Sequence, residues 1–99
     1  MESKYKIVQA RKRLLTNLNI LYPSAISTEE LYRTVCHLDP MYDFSLFQKD
    51  IAYFKDKRWI EFVDDRLGGF PEFRKKVIKL TADGKEIAEG TDTDRALMV

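Results

Sequence analysis

Gln48, Lys49, Tyr53 and Lys55 lie close together, and Arg66, Arg74, Lys75 and Lys76 bracket a Gly68-Gly69 pair. These residue types suit non-covalent recognition of nucleic acid. A glutamine amide can pair with adenine, a lysine can reach guanine or a phosphate, and a tyrosine hydroxyl can meet a phosphate oxygen. A Gly-Gly turn lets the backbone come close to a phosphate. Lys57 and Arg58 add cations on the same side, whereas Asp50, Asp56, Asp64, Asp65 and Glu72 oppose them wherever they face the same way.

Covalent chemistry has weaker support. Cys36 and His37 precede Asp39, but neighbours on one helix point about 100° apart and do not converge. A buried cysteine beside a surface histidine is the expected arrangement. Asp64-Asp65 next to Arg66 fits turn chemistry better than a metal or acid-base pair. Gly68-Gly69 is followed by no helix N-terminus that would make it a phosphate loop. The expectation is a protein with no catalytic residues, no metal and no cofactor.

The recognition groups must be placed by local structure. Ile7, Ala10, Leu14, Leu18 and Leu21, joined by Val8 and Leu15, recur at helical steps over about residues 4–21. Pro23 ends that helix, and Ala25-Ile26 can be extended. Ser27 with Glu30 forms a capping box, so a second helix starts at about Thr28, buries Leu31, Val35 and Leu38, and closes at Asp39-Pro40. Asp43 or Ser45 can cap a third helix that runs to about Lys57, Ser45 forming a second box with Gln48 and Tyr42 stapling onto Phe47. Its inward face is Phe47, Ile51 and Phe54. That leaves Ser45, Gln48, Lys49, Ala52, Tyr53 and Asp56 outward, with Lys55 at the flank. Trp59–Val63 and Lys75–Thr81 read as strands joined by a long hairpin tip. Thr81 caps a short helix through Ala88 with Ile87 and Ala88 inward, and Gly90 supplies a left-handed stop.

Composition bounds the rest. The chain has 99 residues, 44% of them hydrophobic and 12% aromatic, enough for one core and too apolar for disorder. No apolar run approaches the length of a membrane span, and the start MESKYKIVQARKR has no secretory h-region. With Cys36 as the only cysteine no internal disulfide can form, so a cytoplasmic location is expected. The net charge of +1 conceals alternation: residues 1–20 and 51–80 are basic overall, and residues 21–50 and 81–99 acidic. Arg11, Lys12 and Arg13 on the first helix read as solvated.

The predicted class is α+β, a winged helix-turn-helix with three helices, a two-to-three-stranded antiparallel wing hairpin and a short C-terminal helix. Residues 1–90 form the domain and 91–99 a polar tail in which Leu97-Met98-Val99 frays or docks on a second subunit. The segment Asp50–Ile60 resembles a winged-helix recognition helix entering its first wing strand. Leu80-Thr81-Ala82-Asp83-Gly84 is similar to the Leu-Thr-x-x-Gly element of MarR-type and PadR-type regulators. A closer resemblance is to small stand-alone winged-helix proteins of Mu-like phages and prophages. The long dimerisation helix and effector pocket of the regulators are not evident. The resemblance implies double-stranded DNA as partner and transcription regulation. The palindromic sites such modules often read and the broad apolar content of the first helix lead to the expectation of a homodimer through that helix and the C-terminal segment. The expected DNA-binding residues are Gln48, Lys49, Tyr53, Lys55, Arg66, Arg74, Lys75 and Lys76. The alternative is a winged-helix protein-interaction module using the Phe70-Pro71-Glu72-Phe73 tip.

Overall fold

The computed structural model describes residues 2–38, 41–63 and 76–97. The elements run α1 (Glu2–Leu21), β1 (Ile26–Ser27), α2 (Thr28–Leu38), α3 (Phe44–Asp56), β2 (Ile60–Phe62), β3 (Val77–Leu80) and α4 (Ala82–Ala88), followed by a 3-10 turn at Arg95–Leu97. This is an α+β fold with four helices and a three-stranded antiparallel sheet in the order β1-β3-β2. Ile60, Glu61 and Phe62 pair with Leu80, Lys79 and Ile78, and Ile26 pairs with Ile78 on the other edge.

The apolar stripes meet in one core. Leu14, Leu18, Leu31, Val35, Phe47, Ile51, Phe54 and Ile78 are fully buried, so the sheet and the first three helices share one interior. On β3 the alternation is regular, Ile78 and Leu80 facing in and Val77 and Lys79 partly out. Two positions depart from the expected stripes. Leu21 is exposed at the end of α1, and Cys36 is only half-buried while His37 is exposed.

The caps select among the alternatives in the sequence. The Glu30 N–H donates to Ser27 Oγ at 3.1 Å. For α3 the cap is Asp43, whose carboxylate accepts from the Leu46 N–H at 2.8 Å. Ser45 is therefore inside the helix and makes no box with Gln48. Tyr42 does staple, its ring 6.5 Å from that of Phe47. Thr81 caps α4, its Oγ1 accepting from Gly84 N–H at 3.0 Å and donating to the Arg58 carbonyl at 2.6 Å.

Helices α3 and α4 end in the same way. At α4, Gly90 (φ 82°) donates to Ile87 O and Thr91 to Glu86 O, the paired bonds of a left-handed Schellman stop. At α3, Arg58 donates to Lys55 O and Trp59 to Phe54 O, but the left-handed residue is an arginine at φ 65°. The rings of Phe54 and Trp59, 5.5 Å apart, supply the apolar contact that accompanies this motif. A Cβ in this region costs energy that glycine avoids. Arg58→Gly is therefore expected to raise stability by about 1 kcal/mol, read as a higher urea midpoint. An unchanged or lower midpoint would contradict it.

The C-terminal segment continues the fold beyond Gly90. Leu97 packs against the core of its own chain, and the 3-10 turn contacts α1. The docking of Leu97 is thus internal, while Met98 and Val99 lie outside the described residues. No described helix is long and apolar enough to cross a membrane.

Candidate nucleic-acid interface

Because Phe47, Ile51 and Phe54 turn one face of α3 inward, Ser45, Gln48, Lys49, Ala52, Lys55 and Asp56 all lie exposed on the other. The expected outward arc is reproduced except at Tyr53, which is half-buried. Its ring stands edge-on to Trp59 at 5.8 Å, and its hydroxyl donates to Asp94 Oδ1 at 2.8 Å.

Asp50, whose direction the sequence leaves open, turns inward. It is 3% exposed and does not face the outward arc. Arg11 Nε donates to its Oδ1 at 2.9 Å and the Tyr42 hydroxyl to its Oδ2 at 2.6 Å. Arg11 is therefore no solvated cation: it ties α1 to α3 and neutralises a carboxylate inside the molecule. Burial first, then the adjacent carboxylate, pushes the Tyr42 phenol far above its ordinary range, so it remains a donor. Lys12 is exposed as expected.

Two of the expected cations come together across the fold. Lys55 Nζ on α3 lies 5.4 Å from the centre of the Phe62 ring on β2, and Lys76 Nζ, entering β3, lies 4.8 Å from the same ring. The sheet register explains it. Lys76 is two residues before Ile78, the partner of Phe62, and so shares its face. Each such contact is worth about 0.5–1 kcal/mol at an exposed site, enough to orient an ammonium group without neutralising it. Among the described residues, no carboxylate pairs with Lys49, Lys55 or Lys76. The nearby Glu61 is held across the strands by Lys79 at 3.3 Å. Nothing in the sequence marked Phe62 as the shared platform, because the meeting of helix and strand depends on tertiary placement.

Arg66, Arg74 and Lys75 lie outside the described residues, as do Asp64, Asp65, Glu72 and the aromatic tip. Lys57 is engaged elsewhere: its Nζ reaches Asp94 Oδ2 at 3.2 Å. A groove of about 410 Å³ between α1 and the C-terminal segment sets Lys12 against Glu89, Asp92 and Asp94, a balance unsuited to phosphate. Among the described residues, no three His, Cys, Asp or Glu side chains group as metal ligands would.

Comparison of the chain with protein-family models, with curated proteins and with solved structures returned no match in any of the three.

Proposed function

We propose that this chain is a winged-helix protein that binds double-stranded DNA without catalysis, as a small transcriptional regulator of phage or prophage type. The observation that carries the reading is the convergence of Lys55 and Lys76 on Phe62 beside the exposed Gln48 and Lys49. It joins the outward helix to the base of the hairpin, the two elements with which winged-helix modules grip DNA. The element order and the β1-β3-β2 sheet also fit that architecture. In this reading α3 enters the major groove, Gln48 and Lys49 address base edges or phosphate, and Lys55 and Lys76 address the backbone. The hairpin residues Arg66, Arg74 and Lys75 add backbone contacts from the wing. Burial of Asp50 removes one of the acids that would oppose phosphate.

The test is the salt dependence of binding to a random duplex. Replacing Lys49, Lys55 and Lys76 with Ala is expected to weaken binding and flatten the log-log salt slope by about one unit per lost phosphate contact. An unchanged affinity and slope would overturn the assignment. We further propose a homodimer through the surface of α1, where Ile20 is 74% exposed at the helix end. Sedimentation should then give a dimer mass; a monomer at high concentration would remove it.

A further inference from the structure

Tyr53 and Lys57, one turn apart at the end of α3, direct a hydroxyl and an ammonium group at a single carboxylate. Asp94 Oδ1 accepts from the Tyr53 hydroxyl at 2.8 Å, and its Oδ2 meets Lys57 Nζ at 3.2 Å. Lys57 Nζ also lies 5.6 Å from the centre of the Tyr53 ring. Two donors from one helix turn, each matched to a different oxygen of one anion, make a site for a tetrahedral oxyanion as readily as for a carboxylate. The side chain that fills it comes from the segment after the left-handed turn at Gly90, where Thr91, Asp92 and Thr93 are exposed. The Asp94 side chain is 11% exposed there and excludes other anions. Both partners register its charge: burial and the Asp94 hydrogen bond raise the Tyr53 phenol, and the Asp94 hydrogen bond raises Lys57.

We infer that Tyr53 and Lys57 form a phosphate site that Asp94 occupies in the free protein, so that the C-terminal segment restrains binding by competing with a backbone phosphate for the same donors. The identity of that phosphate as part of a DNA duplex rests on the proposed function; the anion site itself does not. The phosphate takes the two hydrogen bonds, and Asp94 swings out on residues 91–93 while Leu97 stays packed on the core. Tyr53 thus keeps a role toward phosphate, but only after its own chain lets go.

The single tryptophan, Trp59, reports on the site because it lies against Tyr53. In Asp94→Ala, titration with inorganic pyrophosphate is expected to give a saturable change in Trp59 emission at about one-tenth of the concentration the unaltered protein needs. Adding Tyr53→Phe should abolish that response. No saturable response in Asp94→Ala, or one that survives Tyr53→Phe, overturns the anion site whether or not DNA binds. With a random duplex, Asp94→Ala should bind about tenfold more tightly, whereas Asp92→Ala, which removes the same charge from a neighbouring exposed position, should change affinity far less. Equal gains from the two variants overturn the competition. A pyrophosphate response without duplex binding by any variant overturns DNA as the ligand and the proposed function with it. Circular dichroism of each variant confirms that the fold is intact.

Discussion

Asp50→Ala is expected to lower stability by about 3–5 kcal/mol, the loss typical of breaking a buried ion pair from one side. Asp50 is the buried member, and two groups depend on it: the Arg11 guanidinium at 2.9 Å and the Tyr42 hydroxyl at 2.6 Å. Tyr42 is 1% exposed, so its hydroxyl would lose its carboxylate acceptor with no access to water. Arg11 is less committed, since its side chain is 28% exposed and can be partly rehydrated. Removing the arginine instead strands the Asp50 carboxylate, 3% exposed, without its cation and is expected to cost at least as much as removing the aspartate, and Tyr42→Phe about 1.5–3 kcal/mol, as for a hydrogen bond to a charged group. Urea unfolding of Arg11→Ala, Asp50→Ala and the double variant measures the coupling. Additive losses would contradict a direct Arg11–Asp50 interaction.

Gly84→Ala is expected to cost about 3 kcal/mol or more, although alanine is the better helix former by about 1 kcal/mol. A Cβ on Gly84 would lie 2.0 Å from the Trp59 carbonyl oxygen and 2.8 Å from Leu80 Cδ1. Leu80 can turn aside, but the carbonyl cannot. It accepts from the Thr81 N–H at 2.8 Å at the foot of the β2–β3 pairing, so relief means pulling α4 away from the sheet. The same urea experiment decides the matter, and a midpoint equal to or above that of the unaltered protein would show that the approach is looser than these distances imply.

Gly84 also shows how far the sequence could be read. Thr81 and Gly90 are legible because a hydroxyl cap and a left-handed glycine are local devices. The stripes of α2 and α3 are legible because burial follows their period. The reason for Gly84 is not local, since it lies in the backbone of Trp59. Asp50 is similar: its own stretch of sequence does not decide which way it faces, and Arg11 on a distant helix, with Tyr42, makes it an interior acid. Arg58 gives no sign of its left-handed backbone, because nothing in an arginine announces positive φ. Of the candidate interface, Gln48, Lys49 and Lys55 could be placed outward from helical phase alone. The meeting of Lys55 with Lys76 on Phe62, and the hold of Asp94 on Tyr53, require the helices and the sheet to be assembled first.

In the proposed function, DNA meets the outward arc of α3 together with the sheet edge at Phe62. Backbone amide resonances followed while a random duplex is added at low salt decide whether it does. The largest shifts are expected on Gln48, Lys49, Ala52, Lys55, Phe62 and Lys76, accompanied by Tyr53, Lys57 and Asp94 as Asp94 is displaced, while the interior of α2 stays still. Shifts confined to α1, with α3 and the sheet edge unmoved, or no shifts at all, would contradict that placement.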